Sequence, residues 1–130
     1  MNKIQEQVLE FHDKYEVNTA HVPSFPSRER QLLRENLIEE ELEELRSASI
    51  SNDLVEVADA LGDLAYVVFG AAIEYGIDLE TVVNEIHKSN LSKLGLDGKP
   101  LYREDGKVIK GPNYEPPDIR TLLIYQGADL

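Results

Sequence analysis

Glu41 and Glu44 stand three residues apart, Asp59 and Asp63 stand four apart, and Glu40 and Glu56 flank the two pairs. On a helix, side chains three or four residues apart share a face. Carboxylates grouped in this way repel one another, and a bound divalent cation relieves the repulsion. The chain has no cysteine, which excludes disulfides, thiolate catalysis and Cys-ligated zinc or iron–sulfur clusters. No histidine is suitably placed among these acids. A ligand set made only of hard oxygens favours Mg²⁺, with Mn²⁺ as an alternative, over Zn²⁺.

The run NLIEEELEEL, residues 36–45, shows which acids point inward. At about 100° per residue, with Leu37 at zero, Leu33, Ile38, Leu42, Leu45 and Ala48 fill an arc from about −40° to 140°. Glu39 and Glu43 fall on the far side and read as solvated. Glu41 lands near 40°, inside the apolar arc, while Glu44 and Glu40 lie at its edge near −20° and −60°. The next segment, from Leu54, is apolar or small around nearly its whole circumference, which predicts a central, buried helix. Its polar stripe is Glu56, Asp59, Asp63 and Glu74, and no Lys or Arg lies between Arg46 and Lys88 to neutralise it locally. The plainer alternative is that this stripe is a solvent face, and Glu56 also fits a helix cap. Glu41, among leucines, fits that alternative poorly.

Positive charge returns in HKSNLSK, residues 87–93. With Leu79 at zero, Val82, Val83 and Ile86 define an inner face, and Asn90 and Lys93 share it. Lys93 also fits a snorkelling surface lysine. Lys107 and Lys110, in GKVIKG, are further candidates for phosphate contacts.

These residues need four helices to hold them. Ile4, Val8, Leu9, Phe11 and Tyr15 predict a first helix over 3–16. HVPSFPSRE breaks it, and Ser27 is a fitting N-cap for a second helix to about Ala48. Asp53 with Glu56 resembles a capping box, and Gly76 stands where a helix-ending glycine belongs. Asp78 caps a fourth helix, 79–94, closed by Gly95. In the tail, Asp105-Gly106 between short apolar stretches signals a hairpin, and Pro117 could start a short last helix. The fold class is all-α: a four-helix bundle core (1–96) with a hairpin and loop tail (97–130) in the same domain.

The 130 residues suit one domain. There are 25 Asp plus Glu against 13 Lys plus Arg, a formal net charge of −12. That charge repels nucleic-acid phosphate and means that a polyanionic small substrate needs a cation between it and the chain. The N-terminus lacks an apolar signal core, and the longest apolar run, 64–73, is too short to cross a bilayer. No membrane partner is expected, and the cytoplasm is the expected location.

LIEEELEELRSA (37–48), VADALGDLAYVVFGAAIEYGID (57–78) and EIHKSNLSK (85–93) together resemble the all-α nucleoside triphosphate pyrophosphohydrolases. These include the MazG-like proteins, the dimeric dUTPases and the phosphoribosyl-ATP pyrophosphohydrolases. The resemblance implies a helical core completed as a homodimer or dimer of dimers. It also implies Mg²⁺-dependent cleavage of a nucleotide to monophosphate and pyrophosphate, possible house-cleaning of non-canonical nucleotides among its uses. Glu41 and Glu44 match the first E-x-x-E, and Asp63 the Asp of the second motif. The second motif's Glu would fall at Ala60; either Asp59 with Asp63 serves instead, or Glu56 with Asp59 does. Asn90 and Lys93 match residues that contact phosphate or sugar in relatives. In this scheme Mg²⁺ bound by the acids neutralises the triphosphate, Glu40 orients a water and Lys93 stabilises the leaving pyrophosphate.

Two other functions compete. A di-iron bundle would use Glu-x-x-His on facing helices, and no His here has a Glu three residues before it. A non-enzymatic acidic helical module that oligomerises and binds a partner would need no cation. Within the enzyme class, dUTPase-like and phosphoribosyl-ATP-cleaving specificities both remain open.

Overall fold

The computed structural model describes residues 1–130. Its first three helices begin at side-chain caps that relieve otherwise unpaired N–H groups. Helix α1 (Lys3–Lys14) starts where Asn2 Oδ1 accepts from the Gln5 N–H at 2.8 Å. Helix α2 (Arg28–Ile50) starts at Ser27, whose Oγ accepts from the Arg30 N–H. Helix α3 (Leu54–Tyr75) starts at Asp53, which accepts from the Glu56 N–H, and ends at Gly76 with φ 70°. A Cβ at Gly76 would also lie 2.6 Å from the Val22 carbonyl carbon. There the α1–α2 loop is laced to the end of α3: Ala20 N–H donates to Ile73 O and Ser24 N–H to Tyr75 O.

The fold is all-α, five helices forming a bundle-like core with a short antiparallel hairpin, β1 (Leu101–Tyr102) and β2 (Val108–Ile109), in the tail. Asp105-Gly106 lies in the hairpin turn, as its sequence signals. Helix α3 packs against α2 and α1, while α4 (Leu79–Leu91) packs on α5 (Ile119–Tyr125) rather than along α2 or α3. Ala48 and Ala60 are buried. Their small size allows α2 and α3 to approach closely just where the acids emerge.

Several expectations are refined. Helix α1 ends at Lys14 rather than 16, and α2 continues past Ala48 to Ile50. Helix α4 ends at Leu91, short of the expected end at Leu94, where two serines tie the helix end to the tail. Ser89 Oγ donates to Glu115 O at 2.7 Å, and Ser92 Oγ accepts from the Glu115 N–H at 2.9 Å. Asp78 occupies the N-cap of α4 without making a side-chain cap. Gln5 of α1 does that work: its Oε1 accepts from the Leu79 N–H at 3.1 Å while its Nε2 donates to Ile77 O at 2.8 Å. The last helix starts at Ile119 behind an Asp118 cap rather than at Pro117.

The larger difference concerns burial. Helix α3, expected to be central and buried apart from its acidic stripe, leaves Leu54, Val55 and Leu61 exposed at 80%, 76% and 51%. The expected inner face of α4 is likewise open at Val83 and Ile86. Only 11 of 130 residues are buried, and the apolar residues of α3 and α4 named above stand uncovered.

Candidate metal centre

Helices α2 and α3 bring Glu41, Glu44 and Asp63 together, with one carboxylate oxygen from each lying within 4.8 Å of the other two. Glu41 is half-buried, and its Oε2 is buried with no hydrogen-bond partner. Its carboxyl titrates above the ordinary glutamate value. Desolvation is the main cause, followed by a hydrogen bond with Glu44 and the charges of Glu44, Asp63 and Asp59. An orphaned buried oxygen facing two further acids fits a divalent cation, which would satisfy that oxygen and cancel the repulsion.

The other candidates take different places. Asp59 adds negative charge at Glu41 and lines an adjoining acidic cleft of about 490 Å³ with Glu44, Asp53 and Glu56. Neither Asp59 nor Glu56 belongs to the close triad. Glu40 is exposed on α2, in a groove shared with Asn36, Glu39 and the triad's Glu44. Ala60, where the resemblance calls for a Glu, is 2% exposed, its space taken by close helix packing. Asn90 is exposed and Lys93 half-buried at the end of α4. Lys107 and Lys110 are on the exposed hairpin segment, with Lys110 Nζ 4.7 Å over the Tyr114 ring. The parts carrying these four residues do not pack extensively on α2 or α3.

One polar cluster escapes sequence reasoning. The helical wheel puts Glu74 on the unneutralised stripe of α3, but its side chain is fully buried and held by two arginines from α2. Arg30 Nε and Nη2 donate to its two oxygens at 2.8 and 3.0 Å, and Arg34 Nη1 pairs with it at 3.2 Å. Arg34 Nη2 also donates to Val67 O at 2.9 Å, and Arg34 Nε is buried without a partner. Burial lowers the Arg34 pKa against the opposing pull of Glu74, whereas the hydrogen bond to Glu74 raises that of Arg30. Buried His12 completes the cluster; a carbonyl can only accept, so its Nδ1–H donates to Asn18 O at 2.9 Å. The available signal is Arg30 and Arg34, four apart, together with Gly70 one turn before Glu74. A Cβ at Gly70 would lie 2.9 Å from Arg34 Cζ and 3.2 Å from His12 Nε2.

The profile of the phosphoribosyl-ATP pyrophosphohydrolase family matches residues 8–90, spanning α1 to the end of α4 and including the whole triad. The chain belongs to this family. It is 38% identical over 92 residues to Uncharacterized protein L479 of Acanthamoeba polyphaga mimivirus, covering 70% of this chain and 34% of that protein. The chain thus spans about a third of the length of that curated relative. It also aligns with a crystal structure described as a presumed NTP pyrophosphohydrolase from Exiguobacterium sp. 255-15. There the identity is 23% and the TM-score 0.48, covering 96% of this chain and 94% of that one. No helix is long and apolar enough to cross a membrane.

Proposed function

We propose that this chain is a metal-dependent nucleoside triphosphate pyrophosphohydrolase, cleaving the α–β phosphoanhydride to give a nucleoside monophosphate and pyrophosphate. The observation that carries this reading is the Glu41–Glu44–Asp63 triad with its orphaned Glu41 oxygen, in a chain of this family. Mg²⁺, or Mn²⁺, held there would neutralise the triphosphate and make its phosphorus open to attack. Asp59 and Glu56, lining the adjoining cleft, extend the acidic site. Glu40, one turn before Glu44, orients the attacking water. Asn90, Lys93, Lys107 and Lys110 meet the phosphates, Lys93 offsetting charge on the leaving pyrophosphate.

The uncovered strip of α3 supports a second copy as its cover, in a homodimer or dimer of dimers. Burying that strip would close the bundle, and a partner could carry its own α4 cations to this chain's triad. The tail and core act as one domain, as the Ser89 and Ser92 bonds to Glu115 and the Gln126 bond to Thr81 support. The same exposed strip favours a second reading, an acidic helical module that oligomerises without catalysis.

Phosphorus NMR of nucleoside triphosphates incubated with the chain and Mg²⁺ separates these readings. Monophosphate and pyrophosphate should appear together. Diphosphate with orthophosphate would place the cleavage at the wrong bond, and intact triphosphate would favour the module.

A further inference from the structure

The last carbonyls of a helix have no partner within it. Past Leu91 the end of α4 tightens: the N–H groups of Ser92 and Lys93 donate three residues back, to Ser89 O and Asn90 O, at 3.1 and 3.2 Å. The Lys93 carbonyl that follows is taken by the tail, where the Gly111 N–H donates to it at 2.7 Å. This approach demands glycine. A Cβ at Gly111 would lie 2.7 Å from Lys93 O and 2.8 Å from the Leu94 carbonyl carbon, and closer still to Leu94 O. All three are backbone atoms, which cannot swing aside as a side chain does.

From Gly111 the chain turns at once. The Tyr114 N–H donates to Gly111 O at 3.2 Å, and Pro112 stands at the turn position that its fixed φ suits. Glu115, just beyond the turn, is bonded to Ser89 and Ser92. The tail therefore clasps the last turn of α4 at two points joined by a stiff turn, and the grip falls on the backbone of Lys93 itself. Lys93 is half-buried, whereas Lys88, Lys99, Lys107 and Lys110 are all exposed. A flexible four-carbon stem directs its ammonium only where backbone and stem are both held.

We infer that Gly111 is a positioning residue for Lys93: its close approach fixes the backbone from which the Lys93 ammonium meets the leaving pyrophosphate. This rests on the role proposed for Lys93 above and gives the GPNY turn a part in the same reaction.

Gly111→Ala must part the tail from Lys93 O, and it leaves the triad, on α2 and α3, untouched. Affinity for inorganic pyrophosphate with Mg²⁺, by titration calorimetry, and pyrophosphate release from nucleoside triphosphates would be measured for four chains. These are the parent, Gly111→Ala, Lys93→Ala and the double variant. Gly111→Ala should weaken both readouts on the order of tenfold when Lys93 is present. Once Lys93 is absent it should change either by less than about twofold. A fault of packing alone would cost the same in both backgrounds. Ser92→Ala frees Glu115 at the other end of the clasp. It should act in the same direction, again only with Lys93 present, and it decides the matter if Gly111→Ala does not fold.

No loss, or equal losses with and without Lys93, would overturn the positioning role, as would a parent chain that binds no pyrophosphate. Release without coupling between the two residues would refute this inference alone. Coupled pyrophosphate binding without release from any nucleotide would refute the activity alone.

Discussion

Helix α3 carries two glycines that should respond oppositely to the same substitution. At Gly70, a Cβ would lie 2.9 Å from Arg34 Cζ and closer still to Nη2, so the guanidinium must move. Moving it breaks its pair with the fully buried Glu74 and its bond to Val67 O. Removing a partner from a buried charge costs about 3–5 kcal/mol. Arg30 stays on Glu74, which places the cost near the lower end, about 3 kcal/mol. Alanine returns about 1 kcal/mol of helix propensity. Gly70→Ala should therefore destabilise by about 2 kcal/mol, lowering Tm by roughly 7 °C.

At Gly62 nothing lies within 4 Å of the same Cβ. Gly62→Ala should keep only the propensity gain, about 0.5–1 kcal/mol or roughly 3 °C. Thermal and urea unfolding followed by circular dichroism, in EDTA and over a range of protein concentrations, measures both. Gly70→Ala as stable as the parent chain would refute the placement of Arg34 across that glycine. A loss at Gly62 that grows with protein concentration would mean that a second copy covers this face.

The raised Glu41 pKa has a definite sign. Its carboxylate form is disfavoured in the fold, so the contribution of Glu41 to stability is greatest below the ordinary glutamate pKa. It is lost as pH rises from that value through the raised one. In EDTA the parent chain should show this loss and Glu41→Gln should not; Mg²⁺ should stabilise the parent at neutral pH and leave Glu41→Gln unchanged. Gln5→Ala removes two part-buried bonds at the start of α4, to Ile77 O and from Leu79 N. It should cost about 2–4 kcal/mol in urea unfolding, and hydrogen exchange should speed up first at Leu79. A change below about 0.5 kcal/mol would place the cap of α4 elsewhere.

Much of this architecture is local and readable as such. Ser27, Asp53 and Gly76 mark their helix ends because caps depend on residues a few positions apart. Glu41 is identifiable because a carboxylate amid Leu37 and Leu45 breaks the helical period. Gathering Glu41, Glu44 and Asp63 needs only the wheel positions of two helices. The rest depends on contacts distant in sequence. Glu74 is neutralised by arginines 40 and 44 residues earlier, which no local charge pattern reveals. The cap of α4 comes from Gln5, 74 residues from Leu79. The wheels of α3 and α4 identify apolar faces but do not say whether those faces meet within one chain.

The most direct test is pyrophosphate release from a panel of canonical and modified nucleoside triphosphates, with Mg²⁺, Mn²⁺ or EDTA, for the parent chain and Glu41→Gln. The expected result is release that needs the metal and disappears in Glu41→Gln. Undiminished release in EDTA or in Glu41→Gln would contradict the triad as the site of the reaction. No release from any nucleotide, by folded protein supplied with metal, would contradict the activity itself.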